Sequence, residues 1–202
     1  MLLILISVLS GCTFATVRSL EEDEEAKAGF NADDFVDEIW DTQLLPTIAD
    51  EAVEIDVLLA AIDEDEEAAI EAYGNRTSTG DFSFMTRGEA KLLALDRESR
   101  VGLGLLDLEP FDEEAEVFLA IGPVLRGNAL RDAVGFIEFT DFTNQIEFGQ
   151  VSNALKDRVD EAILSETDLD SLIGQTIRFQ GTFTLSDRDE IVIMPVVLEE
   201  VE

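Results

Sequence analysis

The hydrophobic pattern of the chain changes near residue 80. Before that point, apolar residues recur every three or four positions, as expected for helices, and the stripe is clearest over 48–62. After it, apolar and polar residues alternate, which is typical of strands that are buried on one face. Helical spacing returns once, in a predicted amphipathic helix over 151–163. Strands are predicted over 82–92, 101–105, 117–121, 134–139, 177–185 and 191–197.

Together these elements predict an α+β fold built on a small, partly open β-barrel. Gly102 and Gly104 lie opposite an apolar row in their strand and allow it to bend strongly. About six twisted strands with such bends and one amphipathic helix predict an OB-fold-like barrel over 80–200, with a helical segment over 31–76 packed at one end. Because Pro195 cannot donate a ladder hydrogen bond, we expect the last strand at an edge of the sheet.

The helical segment carries several start and stop signals. Asn31 is a favoured N-cap, Pro46 suits the first turn of a helix, and Gly74 is a favoured stop. The acidic run 63–67 resembles a calcium loop at first sight. However, loop position six is Ala68 rather than glycine, and position twelve is Gly74 rather than glutamate. The run therefore predicts the N-terminus of a helix and not an EF-hand.

The N-terminus resembles the leader of a bacterial lipoprotein. The apolar run 1–9 is shorter than the roughly 20 residues that span a bilayer, and it has the length of a signal-peptide core. It leads into Leu9-Ser10-Gly11-Cys12, which is similar to a lipobox, and Cys12 is the only cysteine in the sequence. This resemblance implies removal of residues 1–11, lipidation of Cys12 and a lipid-anchored location on the periplasmic face of a bacterial membrane. The alternative is a buried N-terminal strand with an inert cysteine.

Three further details bear on the anchor. No Lys or Arg precedes the apolar run, so a start codon further upstream stays open. Thr13 follows the cysteine where an Asp would favour retention at the inner membrane, so the sequence leans towards the outer membrane. The acidic run 21–25 is typical of a solvated segment, and we interpret 12–30 as a lipidated tether.

The charge balance excludes one class of partner. The chain has 13 basic and 46 acidic residues, for a net charge of −33. A surface this negative repels phosphate backbones, which excludes nucleic acid as a partner. The hydrophobic content of 46% nevertheless suffices for a packed core.

We expect the thermal stability of the protein to rise steeply with added NaCl. Acidic residues occur along the whole chain and repel one another. The Debye length falls from about 10 Å at 0.1 M salt to about 3 Å at 1 M, so salt relieves this repulsion. Circular dichroism melts across that range measure the effect, and a melting temperature that stays constant would contradict it.

Enzymatic chemistry finds little support among the residues present. The chain has no histidine, which removes the commonest general base and histidine-dependent zinc sites. It has no Gly-x-Ser-x-Gly elbow, no phosphate loop and no dinucleotide-binding glycine motif. With 46 acidic residues, a carboxylate pair suited to glycoside hydrolysis cannot be singled out. We therefore predict no catalytic residues, no metal site and no cofactor.

The most unusual composition lies in the stretch 121–148, which we interpret as two strands joined by a polar loop. Arg126 and Arg131 stand out because the segment 117–131 contains no acidic residue. The planar guanidinium group suits carboxylates and sugar hydroxyls. Two interpretations stay open: the loop binds a ligand or partner, or its side chains brace the barrel. The candidate binding residues are Arg126, Asn128, Arg131, Asp132, Asp141, Asn144 and Gln145, with Phe139 and Phe142 as stacking surfaces.

Several segments of the sequence together carry a family resemblance. They are Cys12 to Arg18, Trp40 with Leu45-Pro46, Tyr73-Gly74, 121–132, 139–146 and 174–181. From Cys12 onward the chain resembles the periplasmic lipoproteins grouped as domain-of-unknown-function family 2291. The resemblance implies a secreted, lipid-anchored protein with no established activity, of a kind often encoded beside sugar transporters of the ATP-binding-cassette (ABC) type.

Three functions follow as hypotheses. The first is a non-catalytic accessory or docking factor that assists a sugar ABC transporter. The alternative is a module that binds a small polar, sugar-like ligand in the barrel mouth, and a second alternative is a cryptic carboxylate-dependent hydrolase. An exposed patch containing Arg126 and Arg131 would favour docking. A pocket lined by Arg126, Asn128, Asp141 and Asn144 would favour ligand binding.

Overall fold

The computed structural model describes residues 29–77, 80–188 and 190–201. Residues Ala32–Glu202 form one compact unit. The predicted leader, the predicted lipidation site Cys12 and the acidic run 21–25 lie outside the described residues. Within the described ranges, every helix is too short or too polar to cross a membrane.

The segment before residue 77 is helical, as predicted. Its helices are α1 (Ala32–Ile39), α2 (Leu45–Glu51), α3 (Ile55–Glu64) and α4 (Glu66–Tyr73), with a π-helical turn at Trp40–Leu44. Pro46 lies in the first turn of α2. The acidic run starts a helix: the Asp65 carboxylate accepts a hydrogen bond from the Ala68 N–H at 3.1 Å and caps α4. Gly74 follows the last residue of α4, and its N–H donates to the Ile70 carbonyl.

Six strands form a single sheet, which confirms the predicted α+β class. They are β1 (Val53–Glu54), β2 (Ser83–Asp96), β3 (Leu103–Asp107), β4 (Val117–Ala120), β5 (Thr176–Thr184) and β6 (Val192–Glu200). The order is β1-β2-β3-β4-β6-β5, and β5 pairs again with β2. Five strands therefore form a closed circuit of pairings. The β1–β2 and β4–β6 pairs are parallel, and the others are antiparallel.

The long strand β2 makes this circuit possible. Its first part pairs with β5, from Ser83 opposite Thr184 to Lys91 opposite Thr176. Its second part pairs with β3, and Lys91 belongs to both ladders. A register shift between Leu92 and Ala94 marks an irregularity in the β3 ladder. Bulges of this kind bend a strand and increase its twist, as a closed circuit of strands requires.

The core joins the strands to the helices that precede them. Phe84 and Phe183 stack with their ring centroids 5.2 Å apart, and neither is exposed to solvent. Ile55, Leu58 and Ile62 lie on one face of α3 and belong to the same buried cluster. The amphipathic face of α3 therefore packs on the barrel, as the apolar stripe over 48–62 predicted.

The structure corrects the interpretation of 121–148 as two strands. β4 ends at Ala120, and the chain then forms α5 (Ala129–Ala133), a 3-10 turn (Phe139–Asp141) and the start of α6 (Gln145–Val159). The predicted strand over 134–139 is wrong because Gly135, at φ 72°, turns the chain after α5. Val134 and Ile137 are buried, but as part of an irregular segment. The amphipathic helix predicted over 151–163 is confirmed by α6 and the π-helical turn Asp160–Leu164.

The edge position predicted for the last strand is also wrong. β6 pairs with β5 on one side and with β4 on the other. The β4 ladder reaches only Val192 and Ile193, so it ends before Pro195. On the other side, Pro195 lies opposite Gly181, next to a register shift. The missing N–H is thus tolerated because the sheet is irregular where proline occurs.

Candidate functional site

Arg131 lies in the interior and links α5 to α6. Its exposed fraction is 7%. The Nε and Nη2 groups donate to Asp132 Oδ1 at 2.8 and 2.7 Å, and Nη1 donates to the Phe148 carbonyl at 3.2 Å. The guanidinium carbon lies 3.7 Å from the centroid of the Phe148 ring, which is a cation–π contact. These contacts occupy the guanidinium group, so they favour bracing over binding for Arg131.

Asp132 extends the same network to the segment after α4. Thr77 Oγ1 donates to Asp132 Oδ1 at 2.5 Å. Beside it, Asn75 Nδ2 donates to the Ala133 carbonyl at 2.9 Å. Asp132 therefore joins Arg131 to a part of the chain more than 50 residues away.

The charge of this brace affects α6. Burial lowers the pKa of Lys156, Asp157 acts in the opposite direction, and the positive charge of Arg131 lowers the pKa further. The brace and α6 are thus close enough for the charge of Arg131 to affect Lys156.

The other polar candidates mostly satisfy neighbouring groups. Asn144 caps α6, because its Oδ1 accepts from the N–H groups of Ile146 and Glu147 at 2.9 and 3.0 Å. Asp141 Oδ2 accepts from the Glu138 N–H at 3.1 Å in the capping box of the 3-10 turn. Asn128 contacts α6 from outside, because its Oδ1 accepts from Ser152 Oγ at 2.7 Å. Gln145 is the exposed first residue of α6.

The aromatic candidates pack on one another. Phe139 and Phe142 each contact the buried Phe148, with centroid distances of 5.6 and 5.5 Å. Phe142 also meets Phe35 of α1 edge to face at 5.5 Å. Because Phe148 lies under Arg131 as well, the aromatic cluster and the brace form one structural unit. This arrangement favours a packing role over a stacking surface for ligands.

Arg126 lies apart from this unit. It is exposed on the loop that connects β4 to α5, and it lines a cavity of about 520 Å³. Among the residues that the structure describes, it forms no ion pair. The cavity therefore contains one of the seven candidates, together with polar groups that sequence reasoning did not select: Ser99, Thr184, Ser186, Asp187 and Glu190.

The floor of this cavity is apolar and is formed by three adjacent strands. Leu103 of β3 lies directly opposite Ala120 of β4. Val192 and Met194 of β6 continue the floor on the other side of β4. Apart from Thr184, which is the last residue of β5, the polar residues surround this floor on loops. The cavity therefore offers an apolar surface with hydrogen-bonding groups at its rim.

Backbone hydrogen bonds hold two walls of the cavity together. One wall is the β2–β3 loop, and the other is the loop that carries Arg126. The Gly122 N–H donates to the Val101 carbonyl at 2.9 Å, and the Val124 N–H donates to the Arg100 carbonyl at 3.1 Å. The Gly122–Val101 hydrogen bond brings the two backbone segments so close that only glycine fits at position 122.

Side chains hold the third wall, the β5–β6 turn. Arg188 Nε donates to Glu66 Oε2 of α4 at 2.6 Å. Ser186 Oγ donates to Asp81 Oδ2 at 2.9 Å. The turn is therefore attached to the helical segment and to the residues that precede β2.

A second cavity, of about 400 Å³, lies beside the brace. Asp132 and Phe139 line it together with Asn75 and Thr77. The hydrogen bonds described above already engage Asn75, Thr77 and Asp132 within the protein. The hydroxyls of Ser99, Thr184 and Ser186 in the cavity beside Arg126 are also hydrogen-bonded within the protein. The cavity beside Arg126 differs in containing an exposed arginine that forms no ion pair among the described residues.

Comparison with known proteins supports the fold and a family. A family model described as a predicted periplasmic lipoprotein (DUF2291) matches residues 2–199. The crystal structure of an OB-fold protein from Thermotoga maritima is similar, with a TM-score of 0.71 and 21% sequence identity, over 86% of this chain and 99% of that chain. At this identity the likeness shows the fold alone, and it confirms the OB-fold-like architecture. The comparison with curated proteins found no match.

Proposed function

Since the chain belongs to the DUF2291 family of predicted periplasmic lipoproteins, we propose that it is a lipid-anchored, non-catalytic protein that binds a small, neutral, sugar-like ligand in the cavity beside Arg126. The observation that carries the proposal is the place of this cavity in the fold. Because Thr13 follows Cys12, we expect the anchor at the outer membrane.

The cavity occupies the face that OB folds use for ligands. Strands β2, β3, β4, β5 and β6 correspond to the five OB strands in chain order, because they share its circular pairing. In OB folds, oligosaccharides and oligonucleotides bind across the second and third strands, between the loops that join strands 1 to 2 and 4 to 5. Here those loops are the β2–β3 loop and the β5–β6 turn, and both line the cavity.

The chemistry of the lining favours a neutral polar ligand. Hydroxyls from Ser99, Thr184 and Ser186, with Arg126 and two carboxylates, supply donors and acceptors around an apolar floor. Sugars present hydroxyls at their edges and C–H groups on their faces, which match this arrangement. The net charge of −33 disfavours phosphorylated ligands and oligonucleotides.

The positions of Arg126 and Arg131 support docking to ABC transporter components less well than they support ligand binding. Arg131 is buried, so Arg126 and Arg131 do not form a shared exposed patch. The transporter link therefore rests on the family resemblance. Hydrolysis has no histidine or second cysteine to use, and it would depend on the carboxylates of Asp187 and Glu190 alone.

Binding of neutral sugars should depend on Arg126. We expect a panel of neutral mono- and disaccharides, titrated by calorimetry into the full chain in detergent, to contain at least one that binds. Arg126→Ala should weaken its binding at least tenfold, because a hydrogen bond to a charged group contributes roughly 1.5–3 kcal/mol.

Arg178→Ala is the matched control. Arg178 is also exposed and pairs with Glu89 on β2, but it does not line the cavity. It should leave sugar affinity unchanged. Equal affinity in both variants, or a panel with no binder, would contradict the proposal. Release of free sugar from glycosides by the wild type, lost on Glu190→Gln, would favour the hydrolase instead.

A further inference from the structure

Three carboxylates converge where β3 connects to β4. Asp107 is the last residue of β3, Asp112 lies in the connection, and Glu116 directly precedes β4. One oxygen from each lies within 4.8 Å of the others. Asp107 has no exposed surface, whereas Asp112 and Glu116 are exposed. The group lies outside the sugar-like cavity described above.

The buried carboxylate of Asp107 is incompletely paired. Its Oδ2 accepts from the Glu113 N–H at 3.0 Å. Its Oδ1 is buried and has no hydrogen-bond partner among the described residues. Lys91 lies opposite Asp107 in the β2–β3 ladder, but the two form no ion pair. A buried charge without a partner is strongly destabilising, and two neighbouring carboxylates add repulsion.

The backbone of the connection holds the other two carboxylates in place. Glu116 Oε2 accepts from the Leu108 N–H at 2.8 Å, so its side chain folds back towards Asp107. Asp112 Oδ1 accepts from the Glu114 N–H at 3.1 Å. Each of these carboxylates has a second oxygen. The local hydrogen bonds thus orient the group without supplying a positive charge.

We propose that residues 107–116 bind a calcium-type divalent cation through Asp107, Asp112 and Glu116. An ion with oxygen ligands at about 2.4 Å requires any two ligands to lie no more than about 4.8 Å apart. The three carboxylate oxygens lie within that limit. All three ligands are oxygens, which suits a hard cation rather than zinc or copper. Water completes the coordination on the exposed side, where Asp112 and Glu116 lie.

The cation supplies the partner that Asp107 lacks and fixes the connection between β3 and β4. It therefore stabilises β3 and β4, two of the three strands that form the floor of the sugar-like cavity. This proposal departs from the sequence-based expectation of no metal site. The signal available in the sequence was an acidic residue at an inward position of an apolar strand, followed by acids five and nine residues later.

Calcium titration of the full chain in detergent tests the proposal. After EDTA treatment and buffer exchange, calorimetry in about 0.5 M NaCl, where diffuse binding to an acidic surface is screened, should show one saturable site. Asp112→Asn should weaken calcium binding at least tenfold. Asp112 is exposed, so this variant should fold normally. Asp63→Asn removes the same charge from the exposed end of α3 and should bind calcium like the wild type.

A melting experiment separates the cation from a protonated acid. Calcium should raise the melting temperature of the wild type but not that of Asp107→Asn. Without calcium, Asp107→Asn should melt above the wild type, because the unpartnered buried charge is gone. If the wild type melts alike with EDTA and with calcium, or if Asp112→Asn and Asp63→Asn bind calcium equally, the site is not a cation site. The sugar-binding proposal is tested at Arg126, which lies outside this carboxylate group. A failure of that proposal would therefore leave the calcium result unaffected.

Discussion

Replacing Arg131 by methionine is expected to lower the free energy of unfolding by about 3 kcal/mol, which corresponds to roughly 6–12 °C in melting temperature for a chain of this length. The change removes the partner of Asp132, whose side chain is 18% exposed, and the donor to the Phe148 carbonyl. Breaking a buried pair costs more than the pair contributes, because the remaining charge is left without compensation. Urea unfolding at fixed salt measures the loss.

Two further variants give this prediction its control. Arg126→Met changes the same residue type on the loop just before α5, but Arg126 is exposed, so the loss should stay within about 0.5 kcal/mol. Asp132→Asn combined with Arg131→Met should recover part of the loss, since no charge is then left unpaired. If Arg131→Met is as stable as Arg126→Met, the network does not brace the fold, and a binding role for Arg131 regains support.

The two arginines show what periodicity in a sequence can and cannot predict. Both stand in a segment without acids, and both were selected for that reason. Arg131 is buried because α5 turns it towards Phe148, a contact that depends on how α5 and α6 pack. Arg126 is exposed because the loop continues for two more residues before α5 begins. Neither the burial of Arg131 nor the exposure of Arg126 can be predicted from the residues next to them in the sequence.

Alternation of apolar and polar residues predicted β2, β5 and β6. In β5 the buried and more exposed residues alternate over the first part of the strand, whereas in β6 four consecutive residues, 193–196, are buried. The segment 134–139 also contains closely spaced apolar residues, but its burial follows from a glycine turn and a 3-10 turn rather than from a ladder. A short apolar segment cannot be distinguished from a strand by spacing alone.

One role in this region could have been read from the sequence. Asn144 is followed three residues later by Glu147, which is the signature of a capping box before an apolar helix. In the structure, Asn144 caps α6 and the Glu147 carboxylate accepts from the Thr143 N–H at 2.9 Å. The amide chemistry of Asn144 predicts a binding residue, whereas its position directly before a helix predicts a cap.

The polar lining of the cavity could not be read from the sequence. Ser99 and Glu190 are more than 90 residues apart, and each lies in an ordinary polar loop. They meet because β4 pairs with both β3 and β6, which brings the β2–β3 loop and the β5–β6 turn to the same face. Only the order of strands in the sheet reveals this proximity.

Gly122→Ala is expected to cost about 3 kcal/mol of the free energy of unfolding and to weaken sugar binding. A Cβ at this position would lie well inside van der Waals contact with the carbonyl oxygens of Val101 and Arg100. Both obstacles are backbone atoms, so relief requires the two loops to separate. The hydrogen bonds from Gly122 and Val124 to those carbonyls would lengthen or break. Chemical unfolding and sugar titration of the variant measure the two effects.

Gly149→Ala provides the opposite expectation with the same substitution. Gly149 lies inside α6, and a Cβ there would meet no atom within 4 Å. Because alanine is the better helix former by about 1 kcal/mol, this variant should be more stable than the wild type and bind sugar equally well. Stability losses of similar size in both variants would show that glycine content rather than the loop contact matters. A Gly122→Ala protein that is stable but no longer binds sugar would place the two loops in the binding site itself rather than in the stability of the barrel.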